Sequence, residues 1–134
     1  MHNQNSRGKD KNRKMEFKKE KEVGKKTVFL IQENPYINVL SAQEYGDIVL
    51  LFESGQQIMF SPQPAIKKLR RKLKDFDDND YLLMMGDPAA MGIACCIASD
   101  INRGRFKILK WDKIQKRYYS VSVNIYEKGE IDDS

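Results

Sequence analysis

The alternation of apolar and polar side chains predicts strands in the first half of the chain. Residues 27–32 (TVFLIQ) form an apolar run whose side chains would be buried on both faces of a sheet. Residues 48–53 and 56–60 predict a hairpin, because Gly55 between them supplies the positive φ that a tight turn requires. The weaker alternation at residues 36–40 allows a further short strand.

The apolar spacing changes to a helical one after Pro64. Apolar side chains recur at i, i+3, i+7 and i+10 between Ile66 and Phe76, and bases fill most of the other positions. This pattern predicts an amphipathic helix with a narrow apolar stripe. Its basic surface fits either a solvated outer face or a contact with phosphate groups.

A second helix is expected over residues 88–103. Asp87 is a good N-cap, Pro88 is a good first helical residue, and Gly104 lies where a C-cap glycine belongs. The side chains are almost all small and apolar, and no charged residue occurs before Asp100. Such a helix is either the central core helix or a self-association surface. A phosphate site at its N-terminus is not expected, because the Asp87 carboxylate caps the N–H groups and repels anions.

The last third of the chain predicts further strands. The continuous apolar run at residues 81–85 is typical of a central strand. Residues 105–111 and 118–126 predict a terminal hairpin, whose odd-numbered side chains from Tyr119 to Ile125 are expected to face the core. The connection from residues 81–85 through the second helix to residues 105–111 allows either parallel or antiparallel pairing.

Together these elements predict an α+β fold with a mixed or antiparallel sheet of about five to seven strands and two helices in a single small domain. We expect the domain to span residues 27–126, between a disordered basic tail (1–26) and a frayed acidic C-terminus (127–134). The tail holds ten of the 24 bases and only four acids, so the net charge of +5 belongs to it. Such a tail serves either as a nucleic-acid arm or as a solubilising end.

Composition excludes several kinds of catalytic site. The only histidine is His2, in the tail, which removes histidine acid-base chemistry and histidine metal sites. Cys95 and Cys96 are neighbours, so they cannot build a disulfide framework or a four-ligand zinc site, and we expect both thiols to be inert. The sequence therefore predicts no catalytic residue, no metal and no cofactor, and the protein is not expected to be an enzyme.

Bases and aromatic rings are interleaved around the terminal hairpin. Basic groups beside rings that can stack are typical of surfaces that track a nucleic-acid backbone, and they also suit an acidic protein patch. Trp111 either belongs to this surface or folds inward beside Leu109. The candidate binding residues are Arg103, Arg105, Lys107, Lys110, Trp111, Lys113, Arg117 and Tyr118.

Three short pieces within residues 81–119 carry a resemblance to a known family. They are Gly86-Asp87-Pro88, the DINRGR string at residues 100–105, and LKWD at residues 109–112. The stretch resembles a family of small uncharacterised proteins of marine tailed bacteriophages. The resemblance implies a phage origin and a host-cytoplasm setting, and it implies no activity and no catalytic residue.

Without a catalytic motif, we expect a small phage accessory protein that binds a host or phage protein partner. The alternative is a nucleic-acid-associated protein that uses the basic tail and the hairpin. A further alternative is self-association through residues 88–103. No membrane partner is expected, because the longest weakly polar stretch is shorter than the roughly 20 residues that span a bilayer. The expected location is the host cytoplasm, or else the virion.

Overall fold

A mixed sheet forms the centre of the part of the chain that the structure describes, residues 16–56 and 62–127. In this computed structural model the elements are β1 (Thr27–Gln32), a 3-10 helix (Leu40–Tyr45), β2 (Asp47–Phe52), α1 (Gln63–Lys72), β3 (Tyr81–Leu83), α2 (Pro88–Ile101), β4 (Arg105–Asp112) and β5 (Arg117–Asn124). The strand order is β2-β1-β3-β4-β5. The first four strands are parallel, and β5 is antiparallel to β4. These findings confirm the α+β fold, the mixed sheet and the single small domain.

The two faces of the sheet carry different layers. Every side chain of β1 is buried, with Phe29 and Ile31 on one face and Val28 and Leu30 on the other. Both α1 and α2 pack against the Phe29 face, which we call the helix side. The 3-10 helix packs against the Val28 face through buried Ala42, and we call this face the 3-10 side.

Periodicity located most of these elements correctly. The segments predicted for β1, α1, β3, α2 and the β4-β5 hairpin are confirmed, and β3 is the middle strand of the sheet. The connection from β3 through α2 to β4 is parallel. The strand expected at residues 36–40 is wrong, because Asn34 forms a turn there: its side-chain oxygen accepts from the Tyr36 amide at 3.0 Å and its carbonyl from the Ile37 amide at 3.0 Å.

The predicted hairpin after residue 48 is described only in part. Its first strand is β2, which pairs in parallel with β1. Gly55 has a φ of +85°, the left-handed conformation that the predicted turn requires. Residues 57–60, the predicted returning strand, lie outside the described residues.

Both ends of α2 are closed by hydrogen bonds. Asp87 Oδ1 accepts from the Ala89 amide at 2.9 Å, as the N-cap prediction requires. At the other end both Arg103 (φ +56°) and Gly104 (φ +83°) are left-handed, and the Gly104 amide donates to the Ser99 carbonyl at 2.7 Å. A Cβ at Gly104 would lie 2.6 Å from the Tyr126 ring, so the chain after β5 packs directly against this end of α2.

The segment before β1 follows the outer edge of β2. Sequence analysis assigned residues 16–26 to the tail, but the Lys18 amide donates to the Ile48 carbonyl at 2.8 Å and forms a parallel bridge with β2. Half-buried Phe17 packs against the core of the 3-10 side. This part of the segment therefore belongs to the described fold.

A buried ion pair joins the same segment to the sheet. Lys21 Nζ lies 2.6 Å from Asp80 Oδ2, with 3% of the Lys21 side chain exposed and none of Asp80. Asp80 Oδ1 accepts from the Thr27 amide at 3.0 Å. The Asp80 carboxylate therefore ties the N-terminal segment to the starts of β1 and β3.

The two charges of this pair depend on each other. Burial by itself would lower the pKa of Lys21, but its hydrogen bonds to Asp80 and Asp77 outweigh burial and raise that pKa above its ordinary value. Burial raises the pKa of the Asp80 carboxyl, and the Lys21 ammonium opposes that rise. Removing either partner would leave the other buried without a counter-charge.

Replacing Ala94 with Leu should overpack α2 against the sheet. Ala94 is fully buried in the helix-side core, so we expect the free energy of unfolding to fall by about 1–3 kcal/mol. Gly92 on the same helix is the control. A Cβ there meets nothing within 4 Å, and Gly92→Ala should stabilise by about 0.5–1 kcal/mol. Urea unfolding measures both variants, and an unchanged midpoint for Ala94→Leu would contradict the packing.

The substitution Lys21→Met should destabilise the fold, because it leaves the Asp80 carboxylate buried alone. We expect a loss of about 3 kcal/mol near neutral pH, against less than about 1 kcal/mol for the exposed control Lys25→Met. Because the pKa of folded Lys21 is raised, its stabilising contribution is complete below its unfolded pKa of about 10.4 and is lost as the pH rises through the folded value. Urea unfolding from neutral to alkaline pH should therefore show a decline that Lys21→Met lacks. Equal losses for the two variants would contradict the role of the pair.

Candidate functional site

The register of the β4-β5 hairpin decides on which side of the sheet each candidate residue lies. Trp111 pairs with Tyr118 and Leu109 with Ser120, while Lys110 pairs with Tyr119. Leu109 and Tyr118 belong to the core of the 3-10 side. By alternation along the strands, Arg105, Lys107, Trp111 and Tyr118 lie on the 3-10 side, and Lys110 and Arg117 lie on the helix side. Lys113 is in the connecting turn, and Arg103 precedes β4.

A chain of aromatic contacts crosses the 3-10 side. Lys107 Nζ lies 4.2 Å from the centre of the Tyr81 ring, and Tyr81 meets Tyr45 edge-on at 5.3 Å. The Tyr45 hydroxyl donates to the Tyr118 carbonyl at 3.2 Å, and Tyr118 meets Trp111 edge-on at 4.9 Å. Sequence reasoning missed Tyr45 and Tyr81, because only the register that sets Tyr81 beside Lys107 shows the contact.

Two of the candidate residues on this side are used mainly for packing. Tyr118 is buried, and burial raises the pKa of its hydroxyl. The Lys107 ammonium is held over the Tyr81 ring by a cation-π contact. The sequence allowed Trp111 either to belong to the binding surface or to fold inward. In the structure both hold in part, because its ring contacts Tyr118 while 44% of the residue is exposed.

Arg105 is engaged by an acidic residue. Its Nε lies 3.1 Å from Asp78 Oδ1 and its Nη2 lies 3.4 Å from Asp78 Oδ2. The amide of Asn102 donates to the same carboxylate at 2.8 Å. The hydrogen bond from Arg105 is the largest influence on Asp78 and lowers its pKa below the ordinary value, followed by the one from Asn102. The Arg105 charge is therefore largely compensated within the protein.

The remaining cations surround the tip of the hairpin. Among the described residues, none of Lys110, Lys113 and Arg117 forms a salt bridge, and all three are exposed. Lys110 Nζ is 6.0 Å from the Tyr119 ring, at the outer limit of a cation-π contact. The structure thus divides seven of the eight candidate residues between the two sheet faces and the hairpin tip, and it places Arg103 at the end of α2.

The helix side of β5 is exposed, against expectation. Tyr119 is 39% exposed, Val121 41% and Ile125 57%, whereas Tyr118 on the opposite side is buried. The prediction that the odd-numbered side chains face the core is therefore wrong for these three, whereas Val123, opposite Phe106, is half-buried. The physical reason is that α2 packs over Phe106 of β4, and nothing in the described part of the chain continues this layer over β5.

A groove lies between α2 and the end of β5, and we call it the α2-β5 groove. Its volume is about 420 Å³, and its walls are mainly apolar. Small side chains on α2 form one wall, and the turn after β5 forms the other. The lining residues are Cys95, Cys96, Ser99, Asp100, Arg103, Phe106, Ile125 and Tyr126.

The crevice between the carboxyl ends of β1 and β3 is filled by the protein itself. Neighbouring parallel strands whose connections leave to opposite faces usually form the ligand site of such a sheet. Here Gln32 Nε2 donates to the carbonyls of Glu53 and Gln56, at 3.1 and 2.7 Å. Gln32 Oε1 accepts from the Asp87 amide at 2.6 Å, and a Cβ at Gly86 would lie 2.2 Å from the Gln32 Cβ.

The described residues contain neither a cluster of metal ligands nor a membrane-spanning helix. Within the described residues, no group of three or more His, Cys, Asp or Glu side chains is placed to hold a metal ion. In the same residues, no helix has the length and apolar character needed to cross a membrane.

Comparison with known proteins places the domain in a family. Residues 26–125, well over half of the chain, match the phage Pam3 gp32-like proteins. The chain belongs to this phage family. This membership confirms the predicted phage connection and covers nearly the whole segment expected to be the domain, whereas the marine and tailed-phage parts of that resemblance stay predictions. No curated protein and no solved structure gives a match.

The prediction that both thiols are inert is corrected for Cys96, which the structure exposes, so one of the two thiols in the α2-β5 groove should react quickly with a disulfide reagent at pH 8. Burial raises the pKa of the half-buried Cys95 thiol to about 11, whereas Cys96 is exposed. We expect rapid labelling of a single thiol, lost in Cys96→Ser and kept in Cys95→Ser. Rapid labelling of both thiols in the folded protein would contradict the burial of Cys95, and slow labelling of both would contradict the exposure of Cys96.

Proposed function

We propose that this phage protein is a non-catalytic accessory protein that binds a host or phage protein through the helix side of β5. The observation that carries the proposal is the exposed row of Tyr119, Val121 and Ile125, which continues into the α2-β5 groove. A contiguous apolar surface of this kind on a soluble domain typically marks an interaction site. The proposed setting is the host cytoplasm or the virion of a tailed phage.

The shape of this surface favours an amphipathic helix as the partner element. On the helix side, α1 and α2 form one layer, and the space beside α2 over β5 has the position of a further helix in that layer. Cys95, Cys96 and Ser99 are small, so a second helix could approach α2 closely. A partner helix would lay its apolar face on β5 and fill the groove.

The charges around the surface favour acidic flanks on that helix. Arg103 lines the groove, while Lys110 and Arg117 lie along the other part of the same face. Asp100 also lines the groove, but it is paired with Arg70 at 2.9 Å. The rim of the surface is therefore positive, and acidic residues of a partner would orient the helix on it.

Nucleic-acid binding is the alternative function, and the exposed Trp111 beside the cations of the hairpin tip favours it. It is the weaker proposal because Arg105 is paired with Asp78 at the surface, Lys107 is held over the Tyr81 ring, and Tyr118 is buried. Several bases of α1 are also engaged: Lys72 Nζ donates to the Leu50 carbonyl at 2.7 Å, and Lys68 Nζ lies 5.0 Å from the centre of the Phe52 ring.

Capture of partners by the tagged full chain from infected-host lysate, with and without nuclease, tests the proposal. We expect Val121→Asp to reduce the recovered partner at least about tenfold, because it places a charge in an apolar contact. Ile114→Asp is the matched control, since Ile114 is 90% exposed at the hairpin tip, away from the proposed surface. Recovery should resist nuclease and change little with salt.

Two results would contradict this proposal. Equal recovery with Val121→Asp and with the control would exclude the helix side of β5. Recovery that nuclease abolishes, and that falls steeply as salt rises, would support the nucleic-acid alternative instead.

A further inference from the structure

We infer that the chain self-associates through the outer edge of β5. Two copies would pair their β5 strands antiparallel about a twofold axis and join their sheets into one of ten strands. This inference concerns the backbone edge of β5 and does not rest on the proposed function, which concerns side chains on the helix side.

The outer edge of β5 carries backbone groups that face away from β4. The Ile125 amide donates to the Gly104 carbonyl at 2.9 Å, so residue 125 faces β4. The Tyr118 carbonyl, in contrast, accepts from the Tyr45 hydroxyl and so faces outward. Since inward and outward residues alternate in an antiparallel ladder, Ser120 and Ser122 direct both their N–H and their carbonyl groups outward. No described strand pairs with this edge.

Nothing in the sequence of β5 blocks such pairing. The strand reads RYYSVSVN, with no proline, no glycine and no charge after Arg117. Edge strands that must stay unpaired usually carry proline, bulges or charged side chains. At the opposite edge of the sheet, β2 already has a partner, because the segment at Lys18 hydrogen-bonds to it. At β5 the Tyr118 carbonyl accepts from the Tyr45 hydroxyl and the Asn124 carbonyl accepts from the Glu127 amide, so the part of this edge left available for a second strand is at Ser120 and Ser122.

The outward positions restrict the register to those that set even-numbered residues of the two copies opposite each other. The register centred on the two outward serines sets Ser120 of one copy opposite Ser122 of the other and places Val121 on the twofold axis. Tyr119 of one copy then lies opposite Val123 of the other, on the helix side. Such aromatic and β-branched pairs across strands stabilise a sheet.

Charge identifies the occupant as a second copy. Residues 110–117, at the start of β5, hold four bases and one acid, whereas residues 127–134, which follow β5, hold four acids and one base. An antiparallel pair sets the start of β5 in each copy, with its bases, beside the end of β5 in the other copy, which the acidic residues follow in the sequence, and the twofold axis repeats this arrangement. A partner other than a second copy would not need to be acidic beside the start of β5 and basic beside its end.

Sedimentation equilibrium of the full chain tests the inference. The variants used place like or opposite charges at Val121, which lies on the twofold axis. The wild-type chain should dimerise. Val121→Lys and Val121→Glu should each raise the dissociation constant at least about tenfold, since like charges would face each other at the axis. An equimolar mixture of the two variants should restore dimers, which a mere folding defect could not do.

A backbone variant separates this inference from the proposed function. Ser122→Pro removes an outward N–H and leaves the bonds to β4 in place, so the folded chain should be monomeric. It keeps the helix-side residues, so partner capture should persist. Ser122→Thr is the control and should dimerise like the wild type. A wild-type chain that stays monomeric at millimolar concentration, a dimer that survives in Ser122→Pro, or a mixture of the charged variants that stays monomeric would overturn the inference.

Discussion

The connection between β4 and β5 is too short to carry a helix, and the candidate surface follows from that constraint. Only residues 113–116 separate the two strands, and the Lys116 amide donates to the Asp112 carbonyl at 2.7 Å to close the turn. Each parallel connection earlier in the chain passes over a face of the sheet and covers it, as α1 and α2 do on the helix side. A tight hairpin cannot do this. β5 therefore enters the sheet without a covering element of its own, and its helix-side residues stay exposed.

The two edges of the sheet are consequently unlike. At β2, the segment before β1 bonds along the edge and is held by the buried pair of Lys21 and Asp80. At β5, the same kind of edge is exposed beside an apolar face and a groove. Edge pairing of two copies would also double that face, because the helix sides of both β5 strands would join. The proposed dimer and the proposed partner surface are thus compatible in geometry.

The pattern of apolar and polar side chains predicted an element correctly wherever that pattern fits only one kind of secondary structure. The apolar stripe of α1, the caps of α2 and the continuous run of β3 were predicted in place, because each depends on neighbours within a few residues. The α+β class followed from the same elements. The parallel pairing of β1 with β2, and the 3-10 helix between them, could not be predicted, since they depend on contacts across the sheet.

The candidate site was harder to predict, because the burial of each β5 side chain depends on which element packs against that face of the sheet. Alternation in β5 separated Tyr118 from Tyr119 correctly, yet it could not show that the 3-10 helix covers Tyr118 while the layer of α2 ends before Tyr119. Likewise, the charge of Arg105 looked available until the fold brought Asp78 to it across 27 residues. The bases of the hairpin tip have no such partner in the described residues and are exposed.

Amide hydrogen exchange of Ser120 and Ser122, followed by NMR in the full chain at increasing protein concentration, tests most directly whether the edge of β5 is open and used. In dilute solution these two amides should exchange faster than those of Val121 and Val123, whose N–H groups face β4. As the concentration rises, the exchange of Ser120 and Ser122 should slow while their neighbours change little. Fast exchange of both serine amides at every concentration would contradict pairing at this edge, and slow exchange in dilute solution would contradict an open edge.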